Sequence, residues 1–297
     1  MTRRVVALCA LALVLAVFAS ATPATAQVAP PVEWKAWSHG QAQTFGDITV
    51  RADDRRSIDG YFYLRILKGG QEVMALSSVA YLIHEPTLGQ DISGSGKPHF
   101  AALEWSGNDN CCYQLHVVEL GPAPRVVGDI DIQYIEEGAF PVIADRDGKP
   151  GMEIEIADIW AFYADLLAGS PVPRVVLRLA DGVYAADGEL MKRPPPADAA
   201  LTARADRSHD AYEEAQVGQV WAEFIASPVI ELIYQGNITA ACRFHERAHP
   251  DDDYKEASLL KLLEDINVKT RRAEWKLWPA LARANGIAES GTLDCPR

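Results

Sequence analysis

The apolar residues of this chain change period once, and the change falls at a run of three prolines. Before Arg193-Pro194-Pro195-Pro196 they alternate every second residue, the spacing of strands. After it they recur every three or four, the spacing of helices packed along one stripe. Proline fixes φ and lacks an amide proton, so three in succession end either element and leave a stiff connector. The chain is therefore expected to be α+β, with an N-terminal antiparallel β domain followed by a C-terminal helical bundle. The expected divisions are a leader over 1–26, an N-terminal extension over 27–45, a β-rich domain over 46–192, a Pro-rich linker over 193–199 and a helical domain over 200–297.

Local patterns place the elements. Gly60 to Lys68 is aromatic and branched and ends at Gly69-Gly70. Tyr113-Gln114-Leu115-His116-Val117 alternates, with Gln114 and His116 on one face. Met152, Ile154 and Ile156 alternate with Glu153 and Glu155, which predicts a strand wet on one side. Asp181-Gly182 suits the primed two-residue turn of a hairpin between Arg174–Leu179 and Val183-Tyr184. Beyond the prolines, Ala197 to Gln216 predicts a polar helix. Val220, Trp221, Phe224 and Ile225 start a buried stripe that Ile230, Leu232 and Ile233 carry to a stop at Gly236-Asn237. Ile238 to about Ala248 predicts the next helix, Leu259 to Ile266 another, and Trp275 to Ala282 the last before Gly286.

The first 26 residues read as a secretory leader. Arg3 and Arg4 precede an apolar run from Val5 to Phe18, and Ala24-Thr25-Ala26 puts small residues where a signal peptidase cuts, before Gln27. The run is shorter than the roughly 20 residues of a membrane span. Cys9 lies inside it and does not follow it, against a lipid anchor. With no later segment apolar enough to span, the mature chain is expected in the periplasm or outside the cell, without stable membrane insertion. Its 26 basic and 41 acidic residues give a net charge of −15, which argues against nucleic acid as a partner. Four cysteines remain, and an oxidising compartment invites disulfides. Cys242 with Cys295 is the favoured pair, because it ties down the C-terminal tail. Cys111-Cys112 either close a vicinal ring or point to opposite faces of one strand.

Two segments carry metal-site patterns. His245-Glu246-Arg247-Ala248-His249 fits His-Glu-x-x-His, in which one helical turn brings two zinc ligands together and the glutamate activates the bound water. Glu264, about four turns further on, is the available third ligand. Arg247 sits where such helices are apolar, and Pro250 biases His249 out of helical geometry, so a surface helix is the competing reading. The second pattern is a loop that occurs twice: Asp91-Ile92-Ser93-Gly94-Ser95-Gly96-Lys97-Pro98-His99 and Asp145-Arg146-Asp147-Gly148-Lys149-Pro150. Alternating oxygens and a turn glycine are what a calcium loop needs, with Asp145, Asp147 and Glu153 as the candidate ligands. Lys149 puts an ammonium among them, and an Asx-type turn needs the same aspartates and glycines. No Gly-x-Ser-x-Gly elbow is present. Trp105, Tyr113 and Trp160 form an aromatic set able to line a binding groove if they share a face.

The loops resemble the Asp-rich turns of FG-GAP/VCBS-type repeats, the units of integrin-like β-propeller blades. Glu104-Trp105-Ser106-Gly107 followed by Cys111-Cys112-Tyr113 is similar to a Trp-Ser-Gly…Cys-Cys segment of uncharacterised secreted bacterial proteins. Their helical tails carry a Tyr-x-Gly-Asn turn, matched by Tyr234-Gln235-Gly236-Asn237. The resemblance implies a propeller-blade-like or multi-sheet β domain and a non-catalytic role, and it brings no substrate. The expected function is binding of an envelope or extracellular protein or glycan, without a required cofactor and with calcium as the candidate ion. The alternative is a zinc-dependent hydrolase acting through Glu246, His245 and His249.

Overall fold

The computed structural model describes residues 33–53, 61–108, 111–133, 135, 140–158, 172–215, 222–249, 255–273 and 275–296. The expected leader lies outside the described residues. The described chain is α+β, with antiparallel sheets first and helices after them.

Strand β1 (Trp34–Ala36) comes before the first meander, which is β2 (Ala42–Phe45), β3 (Ile48–Asp53), β4 (Phe62–Lys68) and β5 (Gln71–Ser78). The second meander is β6 (Ala80–His84), β7 (His99–Asn108), β8 (Cys111–Glu119) and β9 (Arg125–Gln133), and β1 pairs antiparallel with β6 as its fifth strand. The third is β10 (Val142–Ala144), β11 (Glu153–Ala157), β12 (Arg174–Ala180) and β13 (Val183–Ala186). Tight turns join several neighbours. Gly69 and Gly70 (φ 56° and 85°) close β4 onto β5, and Asp181 and Gly182 (φ 52° and 81°) close β12 onto β13, the left-handed pair that primed hairpin turns require. Residues 34–36 and 42–45 are thus strands, within what the sequence predicts as an extension. Trp34 shows why: its side chain belongs to the core, and its indole Nε1 donates to the Pro141 carbonyl at 3.0 Å.

Strict alternation along β7 builds two cores at once. Phe100 and Ala102 point at β3 and β4, where Val50, Ala52, Leu64 and Ile66 meet them. Ala101 and Leu103 point the other way, into a second core with Ile154, Ile156, Val175 and Leu177. Packed on both faces, β7 buries every side chain from His99 to Leu103, each worth about 1.5–3 kcal/mol when it is a large aliphatic. β11 follows the same rule. Glu153, expected on a wet face, is 2 % exposed, because the third sheet is covered on that side too.

The second core runs on without a break into the helices: α1 (Gly188–Met191), α2 (Asp198–Ala215), α3 (Ser227–Tyr234), α4 (Ile238–Ala248), α5 (Lys255–Arg272) and α6 (Leu277–Ala284). A π-helical turn over Ala222–Ala226 leads into α3. Irregular chain separates α1 from α2 at the prolines, yet side chains of the third sheet and of α3, α4 and α6 share one cluster. The fit is close: a methyl on Gly188 would sit 2.3 Å from the Ala280 carbonyl oxygen, and one on Gly236 2.6 Å from that of Ala284. Asn285 completes it. Its Oδ1 accepts from the Ile238 amide (3.0 Å) at the start of α4, and its Nδ2 donates to the Ile233 carbonyl (2.8 Å) at the end of α3.

Cys242 on α4 is bonded to Cys295 in the tail, the pairing expected from the sequence. The two lie 53 residues apart. By loop-closure entropy such a link stabilises by about 4 kcal/mol. Replacing both cysteines with alanine should lower the unfolding free energy by about 2–4 kcal/mol, read as a lower urea midpoint. An unchanged midpoint would mean that the tail is held without the bond.

Candidate functional site

The duplicated loops do not stand apart; they dock on each other. Each is built by its leading aspartate. Asp91 accepts from the amides of Ser95 (3.0 Å) and Gly96 (2.6 Å), and Asp145 from those of Asp147 (3.2 Å) and Gly148 (2.7 Å). Met152 N then donates to the Ile92 carbonyl at 2.9 Å, joining the second loop to the first. Gly94 and Gly151 (φ 78° and 98°) make the approach possible. A methyl on Gly94 would lie 2.9 Å from the Pro150 oxygen.

The side chains of the second loop gather around a guanidinium. Asp145, Asp147 and Glu153 place ligand atoms within 4.8 Å of one another. Into this group Arg178, from β12, sends Nη2 to Asp147 (2.5 Å) and to Glu153 (2.6 Å), while Lys149 Nζ reaches Asp147 at 2.8 Å. Those bonds, from Lys149 first and against the opposing effect of desolvation, hold the Asp147 carboxyl down to about 2. Glu153 also accepts from the Arg146 amide at 2.8 Å. The chain therefore supplies its own cations at the loop that reads as a calcium site.

The first loop repeats the arrangement with one buried carboxylate. Glu119, 1 % exposed, takes Lys97 Nζ at 2.7 Å and Arg125 Nε at 3.2 Å. Burial raises its carboxyl, and the hydrogen bonds of Lys97, Ser95 and Arg125 outweigh that and bring it to about 2. His99 lies beside it, fully buried, with Nδ1 donating to the Lys97 carbonyl (2.8 Å). Burial pushes its imidazole below the ordinary value.

Two further groups meet near the β7–β8 hairpin. On the face toward the first sheet a polar row crosses four strands: Tyr81 of β6, Glu104 of β7, His116 of β8 and Asp129 of β9. Tyr81 donates to Glu104 at 3.2 Å, His116 Nε2 donates to the same carboxylate oxygen at 2.7 Å, and His116 Nδ1 lies 3.2 Å from Asp129. Gln114 donates to Asp129 as well. Burial raises the Glu104 carboxyl, and the bonds from His116, Ser78 and Tyr81 overcome it and leave it below the ordinary value; burial beside that charge pushes the Tyr81 phenol up. On the opposite face Trp105 and Tyr113 are register partners, both half-buried. The structure thus brings two of the three expected aromatics together, and Trp160 lies outside the described residues. So do the side chains of Cys111 and Cys112.

The His-Glu-x-x-His segment lies on an amphipathic helix whose two histidines face inward. His245 and His249 are 1 % and 4 % exposed, their rings stacked with centroids 5.7 Å apart and the Tyr212 ring 5.3 Å from His249. They share the inner face of α4 with Ala241, Phe244 and Ala248, while Glu246, one residue around the helix, is exposed. His249 caps the helix at φ −132°, ψ 59°, out of the helical geometry that a following proline disfavours. Glu264 is exposed on α5, and the two histidines do not group with it: among the described residues Asp145, Asp147 and Glu153 are the one set of three with metal-ligand spacing.

Sequence reasoning missed Arg178 and the polar row. The signal for the row is present: Glu104, Gln114 and His116 hold inward positions of otherwise apolar strands. Arg178 carries no signal, since its meaning depends on the pairing of β11 with β12. Compared with protein-family models, with curated proteins and with solved structures, the chain matches none.

Two outcomes follow from the charges. Arg178→Gln takes the guanidinium from buried Glu153 and leaves Asp147 to Lys149, and should lower the urea midpoint of unfolding. Millimolar calcium should then raise the melting temperature of the variant more than that of the wild type, because the ion replaces the lost cation; equal responses would deny Arg178 that place. Glu119 titrates lower folded than unfolded, so its contribution is complete above about pH 4.5 and is lost as pH falls toward 2. Urea midpoints across that window should decline in the wild type and decline less in Glu119→Gln.

Proposed function

We propose that this chain is a secreted or periplasmic protein that acts by binding, with an envelope or extracellular protein or glycan as its partner. The observation that carries the reading is the pairing of Trp105 with Tyr113 at the hairpin end of β7 and β8. A half-buried tryptophan beside a tyrosine offers a rigid apolar surface with polar edges, the composition that dominates protein contacts and stacks on sugar rings. The reverse face of the same strands adds the Tyr81–Glu104–His116–Asp129 row.

Binding accounts for this row better than catalysis does. A general base needs a ring nitrogen directed at substrate. His116 has Nε2 on Glu104 and Nδ1 beside Asp129, so the row is a set of oriented hydrogen-bonding groups and not a proton-transfer pair. Three successive four-stranded meanders with paired Asp-Gly loops support kinship with blade-type repeats. The leader pattern and the Cys242–Cys295 bond favour an oxidising compartment.

Residues 27–297, immobilised and exposed to envelope extract, should retain a saturable component. Trp105→Ala should weaken that capture at least about tenfold, the loss of a single aromatic anchor. Val73→Ala, exposed on β5, should leave it unchanged. Equal capture by both variants would remove the hairpin end as the binding surface.

A further inference from the structure

A cavity of about 280 Å³ opens between the third sheet and the helices. One wall is apolar, made by Val172, Pro173, Val176 and Met191. The charged lining is Glu155, Arg174, Arg193 and Glu231, and what matters is which of these charges are already answered.

Both acids are neutralised by arginines that do not line the cavity. Glu155 takes Arg146 Nη2 at 2.7 Å, and Glu231 takes Arg204 Nη2 at 2.6 Å. Glu231 also accepts from Gln235 at 3.0 Å. Among the described residues, Arg174, 3.9 Å from the already paired Glu155, is then a surplus cation. Arg193 is a second. Its Nη1 donates to the carbonyls of Leu190 (2.9 Å) and Lys192 (3.0 Å), bonds that fix its direction without cancelling its charge. Its backbone is held as well, with its amide on the Gln235 carbonyl at 3.0 Å. Among the described residues the charges at the cavity sum to positive, with Arg174, Arg193, Arg146 and Arg204 against Glu155, Glu231 and, behind Tyr234, Asp158, in a chain whose net charge is −13.

We propose that this cavity binds a small organic anion, its acidic group on Arg174 and Arg193 and its carbon skeleton along Val172, Pro173, Val176 and Met191. A guanidinium donates two parallel bonds to a carboxylate or a phosphate, and a pinned one loses little freedom in doing so. The volume is at the bottom of the range for ligand sites, roughly 300 Å³ upward, which limits the occupant to a few carbon atoms beyond its acid. Ser227, at the start of α3, adds a hydroxyl to the lining. This site is separate from the hairpin end of β7 and β8, and either can fail without the other.

Calorimetric titration with hexanoate, hexyl phosphate and hexanol tests it on residues 27–297. Hexanoate or hexyl phosphate should bind at one site and hexanol should not, with the preferred acid identifying the natural head group. Raising salt should weaken the binding. Arg174→Gln with Arg193→Gln should reduce affinity at least about tenfold while the melting temperature shows a folded protein. Ser227→Tyr, which keeps every charge and fills the space, should abolish binding. Hexanol binding as well as the acids, no binding of either acid at millimolar concentration, or full affinity in Ser227→Tyr would each overturn the assignment.

Discussion

The whole chain is organised by one sheet buried on both faces. β7 and β8 alternate their side chains between two cores, one shared with the first sheet and the other with the third sheet and the helices. A shift of one residue in either strand would exchange the contents of the two cores. Phe100 would leave its place opposite Leu64 and Ile66, and Leu103 its place near Ile154 and Leu177. Register in the second meander therefore fixes where the first and third meanders can sit. It also fixes which polar residues reach the rim, since Glu104, Gln114 and His116 are placed by the same alternation that buries their apolar neighbours.

The duplicated loops hold the second and third meanders together by two different means. Their backbones meet through glycine, where no side chain could be accommodated, and their carboxylates meet cations from the chain itself. An ion-binding loop needs its charge balanced by a metal; here Arg178 and Lys149 balance one loop, and Lys97 with Arg125 balances the acid behind the other. Glu119 and Glu153 are buried while Lys97, Arg125 and Lys149 keep much of their surface in solvent, so desolvation of the acids offsets part of the attraction. The cost appears when one member of a pair is removed.

Much of this was legible because local rules decided it. The hairpin at Asp181-Gly182, the stop at Gly236, the helix Ile238–Ala248 and the Cys242–Cys295 bond all follow from turn chemistry, periodicity or the need to anchor a tail. What was illegible depended on chain returning from afar. β1 falls in what the sequence predicts as an extension until Trp34 is seen against Pro141. Glu153 looks solvent-facing until Arg178 covers it, and His245 looks like a ligand or a surface residue until α4 is packed. The positive cavity was hidden for the same reason, since pairing with Arg146 and Arg204 is what makes Arg174 and Arg193 surplus.

The bond between Cys242 and Cys295 has a further meaning wherever the chain meets proteases. It makes α5, α6 and the tail part of a covalent ring anchored on α4. A protease that cuts once within the ring releases nothing: the new ends remain tethered, with Asn285 and Asn267 still able to hold the pieces in register. A chain nicked in that way stays covalently whole for as long as the two sulfurs remain oxidised.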